Sequence, residues 1–406
     1  MKLLIKLFIS AMLVLYIQLY SQQDPNVNQI ISSVNGDSLA MIVKELSGEV
    51  QTTIKGTPAT ILSRYAYEPG NIFAADYIEQ KLTSYGYTAI KQDNGSTCRN
   101  VYAALTGLTE PQNKYIICAH YDSQINAGLK SPSPGADDNA SGVAVVLEAA
   151  RIFKKYLPKY TIVFAFFDEE EIDLIGSKYY ISQEGGNILG VINMDMVAYD
   201  SNNDYKVDVH LRNVANSSML SNAVIEVNNL YSIGSNPYVR NPGTADADQY
   251  AFWDKGYSAV ALIEDELDFS TEYHKSTDRF NMFNANYFLK CAKLGIGVLA
   301  YLSLPLIDGG TSVNAKIETI NFRLDQNYPN PFNPTTTINY SIPKQNFVTI
   351  KVYDVLGREV ETLLNEYENA GMHEIEFDGN GLSSGLYFYK ITCENYSETK
   401  KMILLR

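Results

Sequence analysis

Five short apolar runs set the strongest constraint on this 406-residue chain: KYIICAH (114–120), YTIVFAFF (160–167), LGVINMDM (189–196), KVDVHL (206–211) and YSAVALIE (257–264). Stretches of helical pattern fall around them, including Ala74 to Tyr85, SGVAVVLEAARIFKKY (141–156) and MFNANYFLKCAKLGIGVLAYL (282–302). Strands without polar alternation must be buried on both faces, so the pattern predicts an α/β fold with a mixed, mostly parallel sheet sandwiched by helices. Hydrophobic residues make up 46% of the chain, enough for a sizeable core. The net charge of −14 argues against a nucleic-acid binder, which needs a basic face.

The ends of the chain differ from this middle. Residues 1–21 combine Lys2 and Lys6 with an apolar stretch too short to span a membrane, the pattern of a secretory signal peptide. Residues 22–50 are polar and then weakly helical, open to reading as a pro-segment, a linker or an extra first helix. Residues 306–321 (IDGGTSVNAKIETINF begins there) read as a linker after the α/β domain, assigned to 51–305. From 322 to 406, short alternating strands with Pro, Asn and Gly turns predict a small C-terminal all-β sandwich. The four cysteines show no metal-ligand spacing, and a Cys98–Cys118 disulfide stays open.

Several apolar runs end in residues able to bind metal. IICAH ends in His120, with Asp122 two residues on; FAFFDEEE ends in Asp168, Glu169, Glu170 and Glu171; LGVINMD ends in Asp195. The Gly-flanked SPGADDNASG carries Asp137 and Asp138, and STEYHKSTD supplies His274. Ligands bind at the carboxyl ends of strands in open α/β sheets, so these residues can converge. Each has an ordinary reading alone: a core histidine, a helix N-cap, a solvated first helical turn. His210 and His373 have only that reading. Together, however, the carboxylates need positive charge, and no Lys or Arg lies near these strand ends in sequence. Imidazole and carboxylate without thiolate suit zinc, and two histidines with three carboxylates suit two ions sharing a bridge. Two dications, three carboxylates and one hydroxide sum to zero charge.

His-x-Asp, GADDNASG, EEIDLIGS, NMDM and YHKSTD, in that order, resemble the M28 family of zinc exopeptidases over about residues 58 to 303, and most of all the secreted bacterial leucyl aminopeptidases. The resemblance implies the zinc exopeptidase fold and two Zn2+ per chain. His120 and Asp195 would hold one zinc, Glu171 and His274 the other, and Asp138 would bridge them through a residue followed by a cis peptide. Glu170 would be the general base and Asp122 the carboxylate orienting His120. Asp168 and Glu169 would then be structural, because successive side chains at a strand-to-helix turn point in different directions. The chain departs from the family at Ala247-Asp248-Gln249, where Ser-Asp-His is usual, which bears on the substrate pocket and not on the ligands. The implied function is a secreted di-zinc aminopeptidase acting on peptide or protein N-termini. Rivals are a glutaminyl cyclase, which keeps one zinc, a carboxypeptidase, and a catalytically dead surface binding module. The tail resembles the sorting domain of type IX secretion through FRLDQNYPNPFNPTTTINYSIP, VYDVLGREV and LSSGLYFYKIT. That implies the type IX machinery as a partner, passage through periplasm and outer membrane, and a secreted or cell-surface destination.

Overall fold

The computed structural model describes residues 23–308 except 96, 127–131 and 185, and residues 323–405 except 325, 328, 343–345, 369–370 and 395. The expected signal peptide and most of the expected linker lie outside the described residues. The chain divides into two compact units at Asp308.

In the larger unit the order begins with α1 (Pro25–Ser32), α2 (Gly36–Leu46), a small hairpin of β1 (Thr52–Ile54) and β2 (Thr57–Ala59), and α3 (Pro69–Ser84). There follow β3 (Ile90–Asp93), β4 (Arg99–Leu105), β5 (Glu110–His120), α4 (Gly142–Phe153), β6 (Tyr156–Pro158), β7 (Tyr160–Phe167), α5 (Ile175–Gln183) and β8 (Asn187–Met194). The unit closes with β9 (Lys206–His210), α6 (Ser217–Leu230), β10 (Asn236–Arg240), α7 (Gln249–Asp254), β11 (Ala259–Glu264), α8 (Ala285–Leu302) and β12 (Leu306–Asp308). Eight strands form one sheet in the order β10-β9-β11-β8-β5-β7-β4-β3. The central steps β11–β8, β8–β5 and β5–β7 are parallel, whereas β9–β11 and β7–β4 are antiparallel. The expected mixed sheet is therefore present, with helices against both faces.

The last six residues of β5, the last six of β7 and all of β11 are buried, as unbroken apolar runs require. α4 is buried along nearly its whole length, with Val143, Val146, Leu147 and Phe153 in the main core. Asp24 and Asn35 cap α1 and α2 by accepting backbone N–H groups, which explains why a polar segment is helical. Their inward residues Val27, Ile30, Leu39 and Leu46 are fully buried in the same core. α3 begins five residues before the expected start, because Pro69 at its first turn fits a helix N-terminus. Cys98 and Cys118 are free thiols.

The smaller unit contains β13 (Arg323–Leu324), β14 (Thr335–Ile342), β15 (Asn346–Tyr353), β16 (Glu359–Glu368), β17 (Gly371–Asp378), β18 (Gly385–Cys393) and β19 (Tyr396–Leu404). They form two antiparallel sheets, β13-β14-β17 and β16-β15-β18-β19. Alternate residues Val348, Ile350 and Val352 of β15 point into a core shared with Ile338, Phe377, Tyr389 and Met402.

Candidate metal centre

The carboxyl ends of the central strands bring together all five residues expected to hold metal. His120 closes β5 and Asp195 follows β8 on the neighbouring strand, with His120 Nε2 3.3 Å from Asp195 Oδ1. The same nitrogen lies 3.3 Å from Asp138 Oδ1. The other oxygen of that carboxylate, Asp138 Oδ2, lies 3.1 Å from His274 Nε2, and Glu171 Oε2 is 3.0 Å from His274 Nε2. Two three-residue groups of metal-ligating type thus share Asp138, one through each oxygen: His120, Asp138 and Asp195, and Asp138, Glu171 and His274. Glu170 Oε2 stands 3.9 Å from His120 Nε2 and lines the same cavity.

Local sequence explains how Asp138 is held. The Asp138–Asn139 peptide is cis, as the family resemblance implied. Asn139 ties this turn to the end of β8: its side chain donates to Met194 O (2.9 Å) and accepts from Gly142 N (2.9 Å) and Met196 N (3.3 Å). The flanking glycines of GADDNASG are required by crowding. A Cβ on Gly135, whose φ is +50°, would meet Asp138 O at 2.2 Å, and one on Gly142 would meet Met194 O at 2.1 Å. Three other residues at the site, Glu169 (φ +55°), Met196 (φ +50°) and His274 (φ +53°), hold left-handed backbone without being glycine. Such strain costs about 1–3 kcal/mol per residue and concentrates at functional sites.

The DEEE run divides its labour. Asp168 accepts from Asn71 Nδ2 (2.7 Å) and Arg99 N (2.9 Å) and does not line the cavity beside Glu170. Glu169 is buried and accepts a hydrogen bond from the Thr97 hydroxyl. Asp122 stands 3.3 Å from His120 Nδ1 and accepts from the backbone N–H groups of Glu170 (3.1 Å) and Glu171 (3.2 Å). One carboxylate thus stands beside the histidine ring and, through two backbone N–H groups, holds the turn that presents both glutamates.

Four supporting residues escaped the sequence reading. Arg64 is fully buried and donates to the carbonyls of Leu46, Tyr121, Pro134 and Gly135, placing one guanidinium beside the acidic cluster. Asp278, the last residue of YHKSTD, accepts from Asp137 N (2.9 Å) and Asp138 N (3.1 Å), so the His274 loop grips the bridging turn. Gln124 donates to Glu171 Oε2 at 2.8 Å. His210 lines the cavity, although nothing near it in sequence marked it.

Burial of so many carboxylates raises their proton affinity. Burial, with Asp138 adding to it, pushes Glu171 up to about 7; burial also pushes Asp248 up to about 7 and Asp278 to about 8. Glu170 is driven well above the usual range, mainly by burial. Asp138 goes the other way, because hydrogen bonds from His120 and His274 outweigh its burial. Arg64 alone cannot neutralise this cluster, and among the described residues the buried Glu171 Oε1 has no hydrogen-bond partner. An oxygen donor left open among imidazoles and carboxylates is what a divalent metal site requires.

Residues 100–298 match the model of peptidase family M28. They form a peptidase family M28 domain. Residues 326–405 match the secretion system C-terminal sorting domain, and the M28 domain is thus followed by a second domain of known class. A probable zinc metalloprotease of Pyrenophora teres f. teres is 28% identical over 285 residues, covering 63% of this chain and 60% of the relative. The chain spans 41% of the length of the next two curated relatives. Among solved structures, the Legionella pneumophila LapA aminopeptidase superposes with a TM-score of 0.59 at 19% identity, over 70% of this chain and 76% of that one. A Bacteroides thetaiotaomicron glutaminyl cyclase superposes with a TM-score of 0.50 at 18% identity, over 66% of this chain and 97% of that one. These structural likenesses establish a shared fold. Neighbours of both activities carry it, so the reaction has to be argued from the M28 site itself.

Proposed function

We propose that the chain is a secreted di-zinc aminopeptidase that hydrolyses the first peptide bond of peptides or proteins. The observation that carries this reading is the split of Asp138, one oxygen facing His120 and the other His274. His120 and Asp195 would hold one zinc and Glu171 and His274 the other, with Asp138 common to both. When bound, a zinc pair supplies Lewis acidity to the scissile carbonyl and lowers the pKa of the attacking water. Glu170 takes the proton from that water and delivers it to the leaving amine, and its buried carboxylate favours accepting a proton. Asp122 holds His120 through Nδ1, directing Nε2 toward the metal. Retention of all five ligands and the base speaks against the one-zinc cyclase and the inactive binding module. The sorting domain, with the signal-like residues 1–21, supports delivery through the type IX machinery to the cell surface or medium.

Paired peptides test the reaction. A peptide with a free α-amine should lose its first residue, and its N-acetylated twin should stay intact. Chelation should stop turnover and zinc should restore it. Equal cleavage of both twins, or release of the C-terminal residue, would overturn the aminopeptidase reading.

A further inference from the structure

The cavity at the metal centre, about 210 Å³, extends beyond the residues that the proposed reaction uses. Its remaining wall has two parts. Met196, Ile263, Phe269 and Tyr273 supply apolar surface, and His210, Thr244, Asp246 and Glu266 supply a polar end. We propose that this extension receives the side chain of the substrate's first residue and selects a cationic one, lysyl or arginyl. The proposal rests on the aminopeptidase reading and names its substrate class.

Placement comes from the sheet. His210 ends β9, which is separated from β8 and its Asp195 by β11, so it stands roughly two strand spacings, about 9.5 Å, across the sheet. The α-nitrogen of a substrate lies only about 2.5 Å from its scissile carbonyl carbon, so it must stay at the metal pair. A group reaching the His210 end is the tip of a long side chain. The apolar wall suits a methylene stem, and the polar end suits a charged head.

The sign of that end follows from its charges. Asp208, Asp246, Asp265 and Glu266 stand against Lys206, Arg240 and Arg212, the last donating from Nε to Gly243 O (3.1 Å) beside Thr244, leaving a local balance of −1. None of these three cations lines the cavity. Arg240 pairs with Asp208 (2.8 Å) and Glu266 (3.4 Å), and Lys206 pairs with Asp265 (2.6 Å). Asp246, by contrast, faces the cavity with only the Thr244 hydroxyl, 3.5 Å away, as a side-chain partner among the described residues.

His210 stands at the same end of the cavity. It is 2% exposed, and its Nε2 has no hydrogen-bond partner among the described residues. Its Nδ1 accepts the backbone N–H of Thr244 at 3.1 Å. A backbone N–H can only donate, so the ring is held neutral with its proton on Nε2. This histidine therefore adds no positive charge, and its Nε2–H, a donor, makes no hydrogen bond to a lysyl or arginyl head, which has no acceptor, so the head is held by the carboxylates. One ring nitrogen and one oxygen each of Asp208 and Glu266 lie within 4.8 Å of one another, a spacing that would also admit a metal ion. The Thr244 contact argues against that alternative, because the protonated Nε2 has no lone pair to give and Nδ1 is already occupied.

The experiment compares lysyl, arginyl, leucyl and glutamyl anilides on zinc-loaded full-length enzyme and on Asp246→Asn and Glu266→Gln. In parallel, calorimetry compares binding of lysinamide and norleucinamide, which differ chiefly in the terminal charge. Lysyl and arginyl substrates should exceed leucyl in kcat/KM by about tenfold or more, and the Asp246→Asn change should erase most of that ratio while zinc content is retained. Lysinamide should bind more tightly than norleucinamide, and more weakly as salt is raised. A leucyl preference in the wild type, or a ratio untouched by both substitutions, would overturn the proposal. If no anilide is cleaved yet lysinamide still binds preferentially, the pocket assignment stands and the aminopeptidase reading falls.

Discussion

Glu169, Glu170 and Glu171 are three successive carboxylates with three surroundings, and exchanging each separates their roles. Glu171 lies 3.0 Å from His274, so Glu171→Ala should release zinc and lower thermal stability. Glu170→Gln keeps the size of the side chain and cannot accept a proton; it should retain metal while kcat falls by roughly 10²–10⁴-fold. Glu169→Gln should leave metal content and kcat near the wild-type values, because its partner is Thr97 and it lines no part of the cavity. Metal content and kcat measured on the three proteins decide the matter, and a metal-replete, inactive Glu169→Gln would shift the assignment by one residue. The candidate ligands were legible because each follows an apolar strand or sits in a glycine-flanked turn. Their supports were not. Arg64 lies far along the chain from the Tyr121 and Gly135 carbonyls it meets, and Asp278 reaches the Asp137 backbone from another loop. His210 looked ordinary because its neighbours in the cavity come from the segments around Thr244 and Glu266.

At the scale of elements, the alternation of buried strands and helices was readable because burial on both faces leaves no room for polar residues. The first two helices were harder to read, because α1 carries only Val27, Ile30 and Ile31 inward on a polar eight-residue segment. Their packing involves partners that sequence distance conceals. α1 lies against α8, and the buried Glu148 of α4 accepts from Asn35 N (2.8 Å) and the Ser38 hydroxyl (3.1 Å) at the start of α2. Leu46 at the end of α2 gives its carbonyl to Arg64, linking this segment to the metal-centre scaffold. A segment so embedded is expected to be part of the folded enzyme and not a removable inhibitor. Ile30→Ala should cost about 2–5 kcal/mol in a denaturation experiment. Deleting residues 23–46 should give insoluble or unfolded protein. A soluble deletion product with raised activity would restore the pro-segment reading.

For the whole molecule, each unit closes its own core: the buried cluster of the β-sandwich contains only residues from Leu324 onward. The five candidate ligands and the residues that support them all lie before Asp308. A chain ending after Asp308 keeps β12 paired with β6. It should fold, bind metal and turn over substrate like the full protein, while export from its native host fails. Loss of turnover in a folded, metal-loaded truncation would give the tail a catalytic role. The claim beneath all of these roles is that Asp138 joins two ions in one centre. Metal analysis of purified wild type and Asp138→Ala tests it most directly: the account predicts two zinc ions per wild-type chain and loss of most of both in the variant, whereas a fully active wild type holding a single zinc would contradict it.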